Sequence, residues 1–183
     1  YSNVVQIGYD DRVILVAGGD TNSAAWPAVE YLTGLAYSTM RLRLFPADHI
    51  RVLTPSGFAD FNGDGTNDVA AVTALSSLQD AFSDWAMSNS TDRLTVYMIG
   101  EGSGNEFSLN GSELLSTNLF EGLISDFQWQ NPVPVNIIMD FSGAGAFIPC
   151  LADQDMADEF PSATRISIAS AGSWREALFA NNG

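Results

Sequence analysis

Residues 12–19 read RVILVAGG, an apolar run rich in β-branched side chains that ends in two glycines. A strand with no polar alternation is typical of a parallel sheet that is buried on both faces. A helix is expected next, because Pro27 suits a first helical turn and Leu32, Leu35, Ala36 and Met40 recur on one helical face. This stretch therefore predicts a strand followed by a crossover helix.

The rest of the chain repeats this alternation of strand and helix. Apolar runs and helical periodicity predict strands at Ile50–Leu53, Arg93–Gly100, 133–139 and 163–169, and helices around 75–85 and 119–127. Such alternation implies right-handed crossovers and a mostly parallel central sheet covered by helices, a three-layer α/β/α sandwich. Functional groups in such sheets gather beyond the carboxyl ends of the strands, which here are the loops at 100–105 and 140–147.

Composition limits the possible partners. Seven basic against 22 acidic residues give a formal net charge of −15, which repels nucleic acid and anionic membrane surfaces. No apolar run approaches the roughly 20 residues that a membrane span needs. We therefore expect no nucleic-acid partner and no membrane span. The length fits one domain, and we expect residues 1–183 to form one domain that is a fragment of a larger protein. The acidity also suits a secreted or cell-envelope setting, where cations neutralise clustered carboxylates.

The segment DFNGDGTND, residues 60–68, has the spacing of a calcium loop. Oxygen donors stand at its alternate positions, namely Asp60, Asn62, Asp64, Thr66 (through its backbone carbonyl) and Asp68. The twelfth position is Ala71 instead of a bidentate glutamate, so the loop is not an EF-hand and needs a further ligand from water or another segment. The alternative is an acidic turn, because Asn-Gly and Asp-Gly form turns on their own. The pattern favours a structural calcium site.

Several segments of the chain, taken in order, resemble the caspase/legumain/gingipain family of cysteine peptidases, and most closely its legumain-like bacterial members. They are VILVAGGD with the following WPAVEY, DFNGDGTND, RLTVYMIGEGSGNEFSLNGSEL, VNIIMDFSGAGAF and RISIASAGSWREALF, which begin at residues 13, 26, 60, 93, 135 and 165. The resemblance extends over most of the chain, from residue 13 to residue 179. The resemblance implies a caspase-like three-layer sandwich.

The same resemblance locates two catalytic positions, and neither holds the family residue. In the family the third strand ends in a His-Gly pair with the general base, and the fourth ends in an acidic residue, one residue, and the nucleophilic cysteine. Here those positions hold Glu101 and Ser142, with Asp140 at the acidic position. An alcohol needs a base to remove its proton, and a carboxylate is a weak base for that task. The resemblance without the dyad implies an inactive pseudo-peptidase that acts as a binding or scaffold module for a protein or peptide partner.

The single histidine and the single cysteine do not supply the missing dyad. His49 precedes the second predicted strand and matches no catalytic position of the family, and Cys150 lies eight positions beyond Ser142. One cysteine also excludes an internal disulfide framework and a CxxC redox or zinc site. We therefore expect no cysteine-peptidase activity.

The alternative hypothesis is a hydrolase in which Ser142 and Glu101 form a serine–carboxylate pair. Burial can raise a carboxyl pKa and improve its basicity. Asp140 would orient the pair, and the backbone amides of Gly102 and Gly143 would form an oxyanion hole. A direct hydrogen bond between the Glu101 carboxylate and the Ser142 hydroxyl separates this hypothesis from the inactive one.

Overall fold

The computed structural model of the chain describes residues 10–87, 91–152 and 163–177, so the ends of the expected domain, 1–9 and 178–183, lie outside the described residues. Within those ranges the strands are β1 (Asp11–Gly18), β2 (Ile50–Leu53), β3 (Val69–Ala71), β4 (Arg93–Gly100), β5 (Gly102–Ser103), β6 (Glu106–Ser108), β7 (Leu114–Ser116), β8 (Val135–Phe141) and β9 (Arg165–Ala169). The helices are α1 (Trp26–Leu42), α2 (Leu75–Asp80), α3 (Thr117–Gln130) and α4 (Ile148–Leu151). Shorter helical turns are the 3-10 turns Ala47–His49 and Ala144–Ala146 and a π-helical turn, Ala81–Trp85, that continues α2.

The larger sheet has the strand order β3-β2-β1-β4-β8-β9, and every neighbouring pair in it is parallel. β1 and β4 pair along their whole length, with Asp11 opposite Arg93 and Gly18 opposite Gly100. The chain builds outward from β1 to β3 on one side and then from β4 to β9 on the other. The strand order therefore reverses between β1 and β4, which places a crevice beyond their carboxyl ends.

Helices flank this sheet on both faces, which confirms the predicted α/β class with a parallel central sheet. On one face α1 packs Trp26, Val29 and Tyr37 against β1, β2 and β4. On the other face Leu78 of α2 and Phe120 of α3 join the larger apolar core. No helix in the described ranges is both long and apolar enough to cross a membrane.

The buried face of α1 differs from the predicted apolar stripe. Val29, Thr33 and Tyr37 are buried, whereas Leu35, which the periodicity assigns to the buried face, is 51% exposed. Thr33 tolerates burial because its hydroxyl donates to the Val29 carbonyl at 2.8 Å. Leu32, Ala36 and Met40 lie on the core side of the helix, as predicted. The prediction therefore fails at Leu35 alone, which leaves that apolar side chain on the solvent side.

β8 lies two residues further along the chain than the strand predicted at 133–139. Pro134 has no N–H group to donate, so the ladder begins after it. At its carboxyl end β8 stays paired with β4 up to the last residue of both strands, where Phe141 lies opposite Gly100. This pairing places Ser142 directly after the strand.

A three-stranded antiparallel sheet, β5-β6-β7, extends from the end of β4 and is missing from the sequence prediction. Strands of two or three residues are too short to show alternation of polar and apolar side chains, and β3 is missed for the same reason. The small sheet forms a wall of the crevice, because Phe107 of β6 and the Ser108 carbonyl lie against Gly18.

This close approach predicts that Gly18→Ala destabilises the fold. An added β-carbon at Gly18 would clash with the backbone oxygen of Ser108 and the buried ring of Phe107. Backbone cannot move aside as a flexible side chain can, so we expect the free energy of unfolding to fall by about 2 kcal/mol or more. Denaturant unfolding followed by circular dichroism measures this change.

Gly122→Ala is the matched control, because Gly122 lies inside α3 and an added β-carbon there meets no atom within 4 Å. That substitution should raise the free energy of unfolding by roughly 0.5–1 kcal/mol, since alanine is the better helix former. Equal stability of Gly18→Ala and the unsubstituted protein would contradict the packing of β1 against β6.

Candidate functional site

A cleft of about 470 Å³ lies beyond the carboxyl ends of β4, β8 and β9. Its lining includes Glu101 from the loop after β4, Ser142 and Gly143 from the turn after β8, and residues 173–177 after β9. The two loops that the sequence analysis singled out therefore meet at one site. Their meeting follows from parallel strands, whose carboxyl ends share one edge of the sheet.

Ser142 is held in place by the aromatic core beneath it. The preceding residue, Phe141, is fully buried and packs at 4.8 Å between ring centroids on Phe107 and at 5.2 Å on Phe147. Gly143 then adopts a φ of 78°, a left-handed conformation that glycine enters without strain. The sharp turn presents the Ser142 side chain to the cleft.

The Ser142 hydroxyl is engaged by the segment that follows β9. It accepts a hydrogen bond of 2.9 Å from the backbone N–H of Ala177. Next to it, the N–H of Gly143 donates to the carbonyl of Arg175 at 3.0 Å. One of the two amides that the hydrolase hypothesis assigns to an oxyanion hole is therefore already paired within the protein.

Glu101 lies on the other side of the cleft. A β-carbon placed on Gly19, in the loop after β1, would be 3.2 Å from the carboxyl carbon of Glu101. β1 and β8 flank β4 on opposite sides, so Glu101 directs its carboxylate toward β1, whereas Ser142 follows β8. Among the described residues no hydrogen bond joins Glu101 to Ser142.

Asp140 is tied to a neighbouring strand. Its carboxylate accepts a hydrogen bond of 3.4 Å from the Tyr97 hydroxyl on β4. Burial, together with the negative charge of Asp140, raises the pKa of Tyr97 to about 12, so the phenol stays protonated and keeps donating. The Asp140 carboxylate is therefore bonded to a side chain of the neighbouring strand, whereas the Ser142 hydroxyl is bonded to the backbone of Ala177.

The remaining candidates for acid–base or nucleophilic chemistry lie elsewhere. Nδ1 of His49 is 3.2 Å from the Asp11 carbonyl, at the amino end of β1 and thus at the opposite end of the sheet from the cleft. Cys150 is on α4, where its thiol is 3.4 Å from the side-chain oxygen of Asn118. Neither residue reaches the position that a catalytic partner of Ser142 would need.

Residues 171–177 are a part of the site that sequence reasoning missed. Gly145 donates its N–H to the Ala171 carbonyl at 2.8 Å, which anchors the start of this segment on the turn after β8. The side chain of Trp174 is 90% exposed beside the cleft. A tryptophan after an apolar strand carries no pattern that predicts exposure, so only the tertiary contacts place it.

The predicted calcium loop is a tightly hydrogen-bonded turn. Asp60 accepts hydrogen bonds from the N–H groups of Gly63 and Gly65 at 2.7 and 2.8 Å, and Asp68 accepts one of 2.7 Å from the Tyr37 hydroxyl. Hydrogen bonds from the Thr66 hydroxyl and amide lower the pKa of Asp64.

These contacts leave calcium binding a prediction. The described residues hold no arrangement of three or more His, Cys, Asp or Glu side chains around a metal position. The loop nevertheless presents carboxylate, amide and carbonyl oxygens, the donors that calcium prefers.

A comparison of the chain with models of known protein families finds no match, and a comparison with curated proteins finds no similar sequence.

Proposed function

We propose that this chain is a caspase/legumain-like domain without catalytic activity, which binds a protein or peptide partner in the cleft beside Ser142. The observation that carries this proposal is the hydrogen bond from the Ala177 N–H to the Ser142 hydroxyl. A backbone N–H is a donor and cannot take the proton of the hydroxyl. The segments that resemble the caspase/legumain family occur in the family's order, which supports the family assignment. Glu101 and Ser142 stand at the two positions of the catalytic dyad.

The base that acyl transfer requires is missing from this arrangement, and one of the two N–H donors assigned to the oxyanion hole is occupied. A serine nucleophile needs a base within hydrogen-bonding reach, and the Glu101 carboxylate lies against Gly19 on the far side of β4. A tetrahedral intermediate needs free N–H donors, and of the Gly102 and Gly143 amides the second is donated to the Arg175 carbonyl. Both observations favour a cleft that binds without cleaving.

The cleft has the features of a small recognition site. Trp174 offers a large apolar surface at its edge, and tryptophan is enriched among residues that dominate binding energies. Glu101, Arg175 and Glu176 supply charged groups around it. We propose that a partner places an apolar side chain on Trp174, and that the domain belongs to a larger secreted or cell-envelope protein of bacterial type.

The second candidate function is a hydrolase that uses Ser142 and Glu101. It is retained because both side chains line the same cleft. This function would require residues 175–177 to leave Ser142 and the Glu101 side chain to rotate toward β8. Asp140 would then have to leave Tyr97 in order to orient the pair.

Peptide cleavage separates the two functions. A fluorogenic peptide library, assayed from acid to neutral pH with and without calcium, should give no cleavage above the rate of the Ser142→Ala variant. Alkylation of Cys150 should likewise change nothing, because that thiol lies on α4. Cleavage that is lost on Ser142→Ala and also on Glu101→Gln would establish the hydrolase.

Binding in the cleft is tested with peptides selected from a random library on the immobilised domain. We expect Trp174→Ala to weaken their binding at least about tenfold, as for the anchor residues of other interfaces. Trp129→Ala is the matched control, because Trp129 is also largely exposed but lies on α3. Equal affinity for the Trp174→Ala and unsubstituted domains would place the binding site elsewhere.

We further propose that Asp60, Asn62, Asp64, Asp68 and the Thr66 carbonyl hold a structural calcium ion. Calcium at about a hundred times its dissociation constant should stabilise the fold by about 2.7 kcal/mol, since the unfolded loop has no preformed site. The melting temperature should then rise by roughly 5–10 °C, a shift that differential scanning calorimetry measures.

Two variants that each remove one negative charge, one inside the loop and one outside it, test whether the calcium-induced shift comes from the loop. Asp64→Asn keeps a side-chain oxygen for the Thr66 amide but removes a carboxylate ligand, so it should abolish most of the calcium-induced shift. Asp80→Asn removes an exposed charge at the end of α2 and should leave the shift unchanged. An identical melting curve with calcium and with EDTA would refute the site.

A further inference from the structure

A second cavity, of about 620 Å³, lies between the solvent side of α1 and the loop after β2. We call it the α1 groove. The helix contributes Glu30, Tyr31 and Leu35 to its lining, and the loop contributes Phe58, Asp60 and Phe61. It shares no lining residue with the cleft beside Ser142.

The walls of the α1 groove are joined to each other by contacts at its base. The Phe61 ring packs on Tyr37 of α1 at 5.7 Å between centroids, and a β-carbon on Gly34 would come within 2.9 Å of the Phe61 ring. The Tyr37 hydroxyl also donates to Asp68, which ties the helix to the far end of the loop. The groove is therefore formed before any partner arrives.

Large apolar side chains face solvent in this groove. Tyr31, Leu35 and Phe58 are 58%, 51% and 61% exposed and line the same cavity. Single exposed apolar residues are ordinary on protein surfaces, but several of them in one concave patch mark interaction sites. Their shared placement is the first of two independent observations that point to a partner.

The second observation is the charge of the residues that line the α1 groove. Two carboxylates, Glu30 and Asp60, belong to the lining, which includes no lysine, arginine or histidine. The whole chain carries a formal net charge of −15, which opposes docking of a second copy or of an acidic segment. A partner that covers the apolar residues must therefore bring positive charge to the rim.

We propose that the α1 groove binds a basic peptide segment of another protein, with an aromatic or aliphatic side chain seated among Tyr31, Leu35 and Phe58 and a lysine or arginine paired with Glu30. Apolar burial supplies the affinity, and the Glu30 carboxylate selects the charge of the segment. This surface is independent of the cleft, because it lies on α1 and on the loop that α1 contacts.

The test uses fluorescence anisotropy of a labelled hexapeptide of alternating lysine and phenylalanine. Two matched peptides carry serine or glutamate in place of lysine. Measurements in EDTA keep cations out of the adjacent loop. We expect the lysine peptide to bind more tightly than the serine peptide, the glutamate peptide to bind least, and added salt to weaken only the lysine peptide.

Variants of exposed residues locate the binding without disturbing the core. Leu35→Ala and Phe58→Ala should each weaken the lysine peptide about fivefold to tenfold. Leu42→Ala, at the exposed end of the same helix, is the apolar control and should have no effect. Glu30→Gln should weaken binding and flatten its salt dependence, whereas Asp80→Asn should do neither.

Four results would overturn the proposal. Three of them are the absence of binding by the lysine peptide, equal binding of the glutamate peptide, and an equal loss of affinity for Leu42→Ala and Leu35→Ala. Self-association that disappears in Leu35→Ala would also overturn it, because the occupant would then be a second copy of the chain. Circular dichroism of each variant verifies that a loss of binding is not a loss of fold.

Discussion

The parallel pairing of β1 with β4 over their full length positions the other strands and the loops of the cleft. It brings Gly18 and Gly100 side by side at one end of the sheet, and neither position has room for a β-carbon. Because the strand order reverses at this point, the loops after β1 and β4 lie at the crevice, and the loop after β8 joins them. The position of the cleft is thus a consequence of strand pairing and does not depend on which side chains line it.

On the proposed function, this independence explains how a cleft persists without catalytic chemistry. Catalysis by Ser142 depends on a base and on free N–H donors within tenths of an ångström, whereas the shape of the cleft depends on the sheet and the aromatic core. The hydroxyl bonds to Ala177 and the Gly143 amide bonds to Arg175, so both groups contribute to folding residues 171–177. On the proposed function, the same segment closes the catalytic position and presents Trp174 for binding.

Much of the fold follows from local sequence. The buried runs predict the long strands, with Ile50–Leu53 and Arg93–Gly100 predicted at their observed bounds, because a strand buried on both faces is apolar throughout. The candidate site follows only in part. The alternation of strands and helices predicts that Glu101 and Ser142 lie at the same edge of the sheet. It does not predict the Ser142–Ala177 and Asp140–Tyr97 contacts, which join residues 35 and 43 positions apart. The sequence does not predict the α1 groove, because helical periodicity assigns Leu35 to the buried face of α1, whereas its side chain lies in solvent.

Covalent labelling measures whether Ser142 has a base, which the proposed function says it lacks. A fluorophosphonate reacts when a deprotonated serine oxygen attacks phosphorus and fluoride leaves, which requires the activation that Ser142 lacks on this account. Intact-mass spectrometry after incubation from acid to neutral pH should show no added phosphonyl group on the protein. Stoichiometric addition at Ser142 that is lost in the Glu101→Gln variant would contradict the account.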